Sequence, residues 1–172
     1  MSLVGTIQSV SQTITYTLTL VDPCILSAVT TQTPGDQTYT IGSGSSSFSF
    51  TAWTAPTVCG SFTYTASQTA PSAATIPTSW LSFNSATRQF TINTSTLSDA
   101  GTYTIQVQGT VGGLSKTITY QITLTDPCTV GGITTSTPGN QAYTIGDPAQ
   151  TFSFTDWTVD YSVCGTYSYV VT

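Results

Sequence analysis

The sequence repeats itself with an offset of 104 residues, and this repetition constrains the fold more than any other feature. Residues 11–24, SQTITYTLTLVDPC, return at 115–128 as SKTITYQITLTDPC. Residues 30–42, TTQTPGDQTYTIG, return at 134–146 as TTSTPGNQAYTIG. Residues 47–54, SFSFTAWT, return at 151–158 as TFSFTDWT with the same offset. Residues 58–64, VCGSFTY, return at 163–169 as VCGTYSY, and there the offset is 105. We therefore expect successive copies of one structural unit.

The length of the period indicates the kind of unit. About 104 residues fit one β-sandwich domain and exceed the ~20–45 residues of leucine-rich or tetratricopeptide units. We expect a complete repeat at residues 23–126, the C-terminal strands of a preceding repeat at 1–22, and the N-terminal half of a following repeat at 127–172. Since both outer pieces are incomplete repeats, we expect a longer protein with a signal peptide upstream.

Alternation of apolar and polar residues predicts strands, and no apolar stripe with helical spacing persists. Within the complete repeat, strands are predicted at 37–41, 46–53, 61–66, 88–93 and 101–108, separated by clusters of Gly, Pro, Asn and Ser. The expected fold class is all-β, built of antiparallel β-sandwiches. The clearest alternation places four apolar residues on one face of a strand and threonines on the other: Ile14, Tyr16, Leu18 and Leu20.

The four cysteines are Cys24, Cys59, Cys128 and Cys164. If 37–41 and 46–53 run in opposite directions, the loop holding Cys59 returns to the end of the domain where Cys24 enters. We therefore predict bridges 24–59 and 128–164, each closing a loop of about 35 residues and stabilising by about 3–4 kcal/mol. The alternative, a metal site, needs shorter Cys spacings or His ligands, and the chain has no His.

Charged residues form only 5% of the chain, the net charge is −5, and the bases are Arg88 and Lys116. Phosphate and anionic membrane surfaces require clustered bases, so we expect neither nucleic acid nor membrane contact. Because Glu and His are absent, we expect no enzyme and no cofactor. A paired-carboxylate site at Asp156 and Asp160 is the remaining catalytic alternative, but Ala52 and Pro56 occupy the corresponding positions of the first copy.

Residues 78–111 and the preceding proline carry a recognisable pattern of aromatic, apolar and turn residues. Its members are Pro77, Trp80, Leu81, Phe83, Asn84, Phe90, Asp99, Gly101, Tyr103, Ile105 and Val107. This pattern resembles the dystroglycan-type cadherin-like repeat, an Ig-like β-sandwich, and the likeness extends over roughly 66–125. The resemblance implies tandem Ig-like, cadherin-like domains of an extracellular surface protein that serves adhesion or surface architecture. The acidic clusters that hold calcium between cadherin domains are missing, since Asp22 and Asp126 each stand alone, so we expect no metal.

Three further patterns allow a binding function. Trp53, Trp80 and Trp157 could stack on sugars, although we expect Trp53 and Trp157 in the core beside the Phe48/Phe50 and Phe152/Phe154 pairs. Rows of threonines at 13–19 and 117–125 are compatible with an ice-binding face, or with an ordinary exposed strand face. Asn93-Thr94-Ser95 is an N-glycosylation sequon, and glycans would solvate a surface that carries so little charge.

Together these features favour a structural repeat of a long extracellular stalk, coat or filament on the cell surface. Its expected partners are adjacent repeats of the same chain and further molecules of itself. An adhesin-type module that recognises glycans or another cell is the first alternative. In a second, residues 1–22 of one molecule complete the open half of another by strand addition, although the middle strands of that sandwich would still be missing.

Overall fold

The computed structural model describes residues 1–130 and 132–171. Its secondary structure is dominated by strands, which confirms the all-β prediction. One short helix, α1 (Pro127–Val130), follows the last long strand. The strands are β1 (Ser2–Ile7), β2 (Val10–Thr15), β3 (Gln37–Thr40), β4 (Ser46–Ser49), β5 (Thr63–Ala70), β6 (Ala74–Thr75), β7 (Leu81–Asn84), β8 (Gln89–Ile92), β9 (Gly101–Val111), β10 (Leu114–Thr125), β11 (Ile133–Thr134) and β12 (Thr158–Val159).

Residues 23–126, here the central segment, contain two sheets. One has the order β3-β10-β9-β5-β6 and the other the order β4-β8-β7. The expectation of purely antiparallel pairing is wrong at one place, because β3 pairs parallel with β10, with Gln37 opposite Ile122. The chain reaches this arrangement because β3 and β4 join different sheets and do not form a hairpin with each other.

Apolar side chains of both sheets of the central segment form one core. Phe90 of β8 is 0% exposed and stacks on Phe48 and Phe83, with ring centroids 5.3 and 4.3 Å away. The ring of Tyr120, on β10 of the other sheet, meets Phe90 edge-on at 5.7 Å. The predicted alternation along β10 is present, since its buried residues are Tyr120, Ile122 and Leu124 and its threonines face outward.

Some strand boundaries differ from the predicted ones, because a backbone amide there donates its hydrogen bond to a side chain and not to a neighbouring strand. The strand expected at 46–53 ends at Ser49, and further on the Trp53 amide donates to the Tyr64 hydroxyl at 2.8 Å. Strands β6 and β7 were not predicted, because β6 has two residues and the β7 segment, LSFN, has little alternation. The turn at α1 was not predicted either.

Residues 1–22, the N-terminal segment, form the β1–β2 hairpin and are exposed throughout. The strand predicted to continue through Leu20 ends at Thr15, because residues 17–22 have no neighbouring strand in the described part of the chain on which to bond. The two chain ends of the hairpin are held together by the amide of Tyr16, which donates to the Met1 carbonyl at 3.0 Å.

Residues 127–130 and 132–171, the C-terminal segment, form few strands although they repeat the sequence of 23–66. Only the two-residue pair β11–β12 is present there in the described structure. Phe152 and Phe154, expected in a core, are exposed. The reason lies in the sheet order: β3 bonds to β10 and β4 to β8, and residues 132–171 contain no counterpart of β8 or β10.

Replacing Tyr120 by phenylalanine is expected to stabilise the chain. The Tyr120 hydroxyl is buried and has no hydrogen-bond partner among the residues that the structure describes, so its removal should gain about 1 kcal/mol at neutral pH. Burial raises the pKa of Tyr120 above its ordinary value of 10.0. The folded state therefore keeps Tyr120 neutral, whereas the unfolded state releases the proton above pH 10. The free energy of unfolding of the native chain accordingly falls as pH rises above 10. Urea unfolding at pH 7 and 11 should show the advantage of Tyr120→Phe growing with pH, and equal curves would contradict this.

Candidate junction and assembly surfaces

The same turn begins the central and C-terminal segments. An oxygen of Asp22 accepts the Cys24 amide at 2.8 Å, and an oxygen of Asp126 accepts the Cys128 amide at 2.8 Å. Such a turn, with the carboxylate oxygen bonded two residues on, fixes the direction in which the chain leaves the preceding strand. The repeated Asp-Pro-Cys sequence therefore has a defined local structure at both places.

Disulfides fasten both turns to a later loop. Cys24 is bonded to Cys59, and Cys128 to Cys164, with Cα atoms 5.6 and 5.4 Å apart. These are the pairings expected from the sequence. Cys59 and Cys164 each end a 3₁₀ turn, Thr57–Cys59 and Ser162–Cys164. Cys59 is buried in a second, smaller apolar cluster with Val29 and Val111.

The C-terminal segment contacts the central segment beside its disulfide. A Cβ atom added to Gly42 would lie 2.8 Å from the Val163 Cγ1 atom, so Val163 sits against the turn between β3 and β4. Gly42 has a φ of +85°, and its amide donates to the Thr94 carbonyl at 2.9 Å. A side chain at Gly42 would therefore strain the turn and displace Val163.

The counterparts of these two residues have no such contact. Val58, which corresponds to Val163, is 73% exposed. A Cβ atom added to Gly146, which corresponds to Gly42, would have no atom of the other described residues within 4 Å, its chain neighbours aside. Each copy of the sequence therefore carries a valine beside its disulfide and a glycine turn at the other end, and one valine–glycine pair is in contact.

Two of the three tryptophans are buried and unavailable for stacking on sugars. Trp53 lies in the core, as predicted, and its indole Nε1 donates to the Gln32 carbonyl at 2.8 Å. Its ring leaves no room for a side chain on β9, since a Cβ atom on Gly109 would lie 2.5 Å from it. Trp80 is also buried and packs on Tyr103, with ring centroids 4.8 Å apart.

Trp157 makes the same local hydrogen bonds as Trp53, but the apolar side chains around it are not packed into a core. Its amide donates to the Tyr169 hydroxyl at 2.9 Å and its Nε1 to the Ser136 carbonyl at 3.0 Å. The apolar side chains beside it are exposed, so the prediction of a closed core around Trp157 is wrong for this chain. We call this surface the open face; its residues are Phe152, Phe154, Trp157, Tyr169, Val170 and Val171.

Several residues that carry the family resemblance have structural roles. The Asn84 side-chain oxygen accepts the amides of Ala86 and Thr87 at 3.1 and 3.2 Å, which closes the β7–β8 turn. The Tyr103 hydroxyl donates to the Asp99 carbonyl at 2.9 Å, and burial together with the nearby Asp99 charge raises the Tyr103 pKa. The pattern is thus explained by turns and packing.

The remaining candidates lie on the surface. Asn93 follows β8 and is exposed, as is Ser95, while Thr94 between them is buried and donates to Asp99 at 2.6 Å. Asp156 and Asp160 are exposed. Among the residues that the structure describes, no three His, Cys, Asp or Glu side chains are grouped as metal ligands.

Within the described ranges, no helix has the length and apolar character needed to cross a membrane. The sequence matches no protein-family model. No curated protein is significantly similar to it.

Proposed function

We propose that this chain is part of a structural array of tandem Ig-like β-sandwich repeats in an extracellular stalk, coat or filament. Residues 23–126 are one repeat, residues 1–22 belong to the preceding one, and 127–172 to the following one. The array acts by holding its repeats at a fixed spacing and by associating with further molecules of itself. The resemblance to dystroglycan-type cadherin-like repeats supports the same proposal.

The contact of Val163 with Gly42 is the observation that carries this proposal. A flexible linker between repeats would leave the valine free, whereas here it fills the space over a glycine turn. The Cys128–Cys164 bridge lies next to Val163 in the chain and ties it to the Asp126 turn. The junction is therefore held at two points, by a covalent bond and by packing.

The exposed Val58 supports extension of the array in the other direction. It occupies the position of Val163 beside the Cys24–Cys59 bridge, yet it is largely exposed in this chain. A preceding repeat whose glycine turn matches Gly42 would cover it in the same way. Because Val58 and Val163 occupy corresponding positions of the repeated sequence, the proposal extends the observed contact of Val163 to an equivalent contact of Val58.

The extracellular location is supported by the cysteines and the surface composition. Disulfides persist in oxidising compartments, and all four cysteines of the chain are bridged. About a third of the residues are Ser or Thr and 5% are charged. A surface so poor in charge is prone to self-association, which an array would use.

Replacing Val163 by serine is expected to release the junction without unfolding the central segment. In the native chain, amides 162–165 should share the rigidity of the central sheets, with an order parameter near ~0.85, and in Val163→Ser it should fall toward ~0.6. The matched control is Val58→Ser, which removes the equivalent exposed valine and should change neither value. Amide relaxation and residual dipolar couplings of the 172-residue chain measure this. Independent tumbling of residues 162–165 in the native chain would overturn the rigid-spacing proposal.

A further inference from the structure

A cleft opens on the central segment between the loop that follows β4 and the loop that carries Cys59. Its volume is about 500 Å³, within the ~300–1,000 Å³ of ordinary ligand sites. Its walls combine aromatic rings, hydroxyl groups and one cation, a mixture typical of sites for small polar molecules. The lining residues include Ala52, Trp53, Thr54, Ser61, Phe62 and Arg88.

The aromatic wall of this cleft is formed before any ligand arrives. The Phe62 ring meets Trp53 edge-on, with centroids 5.9 Å apart, and stacks on Tyr64 at 5.8 Å. The Tyr64 hydroxyl in turn accepts the Trp53 amide at 2.8 Å. Trp53 and Tyr64 are buried, whereas Phe62 is partly exposed. Phe62 is therefore the ring that the wall offers to a ligand.

Arg88 supplies the charge of the cleft. Its Nη1 donates to the Ala86 carbonyl at 3.3 Å, and its Nε is buried with no hydrogen-bond partner among the described residues. None of the described residues that line the cleft is acidic. The other basic side chain, Lys116, donates to the Val29 carbonyl at 2.7 Å. An anion in the cleft would give the guanidinium the partner that its own surroundings do not.

The backbone of Arg88 adds a second reason to assign this side chain a role. Its φ is +58°, a left-handed conformation that Gly and Asn adopt readily and that is unfavourable for other residues. The Arg88 carbonyl accepts the Phe50 amide at 3.4 Å, but any residue offers that carbonyl. The guanidinium is what distinguishes Arg88 from the residues that suit this turn better.

The cleft stays accessible in a tandem array. The C-terminal segment has a corresponding cleft beside Trp157, and every residue that lines it belongs to that segment. This holds although the central segment adjoins it through the contact of Val163 with Gly42. A preceding repeat therefore leaves the cleft open, and the described part of the following repeat lines none of the central cleft.

The two clefts differ in charge. Asp156 lines the second cleft at the position that Ala52 occupies in the first, and Tyr167 replaces Phe62. A carboxylate at position 52 would repel an anionic ligand or pair with the guanidinium in its place. The central cleft is thus cationic because position 52 is alanine, and the other copy supplies the substitution that should close it to anions.

We propose that the central cleft binds a sugar acid, that is, a pyranose ring that bears a carboxylate. The planar guanidinium of Arg88 pairs with the carboxylate, and Phe62 packs against the C–H groups of the ring. The exposed hydroxyls of Thr54 and Ser61 bond to the sugar hydroxyls. A neutral sugar leaves the cation without a partner, and a carboxylate alone leaves the aromatic wall unused. This site adds a ligand to the proposed architecture and does not depend on it.

Titration with matched ligands tests the chemical class. The 172-residue chain is titrated with glucuronate, with glucose, which differs from it only at C6, and with acetate. The reporters are the Trp53 indole N–H and the amide resonances of 54–62 and 88. We expect glucuronate to shift these resonances and to bind about tenfold more tightly than either control, the gain of one charge-assisted pair. Equal affinity for glucuronate and glucose would contradict the proposal.

Substitutions test the residues. Arg88→Asn removes the guanidinium and suits the left-handed backbone, so the melting temperature should stay near that of the native chain. Glucuronate affinity should fall about tenfold, while glucose binding stays unchanged. Ala52→Asp should weaken glucuronate binding in the same way. The control is Lys116→Gln, which changes the net charge as Arg88→Asn does, lies outside the cleft and should bind glucuronate like the native chain.

Two further results would overturn the inference. One is a folded Arg88→Asn variant that binds glucuronate as tightly as the native chain. The other is a tetrapeptide with a free C-terminal carboxylate that displaces glucuronate and binds more tightly, which would assign the cleft to peptides. Either result would leave the rigid junction to be judged separately by Val163→Ser.

Discussion

Phe90→Ala is expected to destabilise the folded chain by about 3–5 kcal/mol, the usual cost of emptying a fully buried aromatic position. Phe90 is fully buried between β4 and β7 and reaches Tyr120 of the opposite sheet. Its removal therefore weakens the contact between the two sheets, and within each sheet the ladders remain. Urea unfolding followed by the fluorescence of the buried tryptophans Trp53 and Trp80 measures the loss.

The control for this substitution is Phe152→Ala in the same chain. Phe152 corresponds to Phe48, which stacks on Phe90, but it is exposed and outside the core. Its removal should change the free energy of unfolding by less than about 0.5 kcal/mol. If Phe90→Ala and Phe152→Ala cost the same, the two sheets of the central segment do not share one core.

Removing the Cys24–Cys59 bridge by Cys24→Ala with Cys59→Ala is expected to cost about 3–4 kcal/mol. The bridge closes a loop with a sequence separation of 35, and its loss frees the unfolded chain by roughly that amount in the loop-entropy account. It also removes Cys59 from the small cluster with Val29 and Val111. Thermal unfolding by calorimetry should show a melting temperature lowered by about 10 °C or more.

The second bridge provides a matched control of nearly equal loop length. Cys128 and Cys164 have a sequence separation of 36, but the loop they close lies in the C-terminal segment, outside the main core. Cys128→Ala with Cys164→Ala should leave the main transition in place and loosen residues 162–165. An equal loss of stability from both pairs would show that the C-terminal segment contributes to the main core.

Much of the fold follows from local pattern. The alternation in SKTITYQITLT requires one face of β10 to be buried, and Tyr120, Ile122 and Leu124 are buried there. Repetition of the Asp-Pro-Cys sequence shows where corresponding turns lie, and the loop positions of the cysteines lead to the observed pairing. These features depend on residues that are near in sequence, or on a period that can be read directly.

Other features depend on which strands meet, and a local pattern carries no such information. The parallel pairing of β3 with β10 joins residues about 85 positions apart. The contact of Val163 with Gly42 needs two copies of the repeat placed side by side. Likewise, the role of Gly109 is visible only once the ring of Trp53 lies over β9.

The two copies of the repeated sequence show most clearly which features the sequence determines and which the tertiary structure decides. By itself the sequence determined the unit, its period, its strand-forming character and its cysteine pairing, because these depend on residue order. Only the tertiary structure decided that 37–40 form a strand while the near-identical 141–144 do not. The physical reason is that a strand is stabilised by the ladder and the core it joins, and the second copy has neither within the described chain.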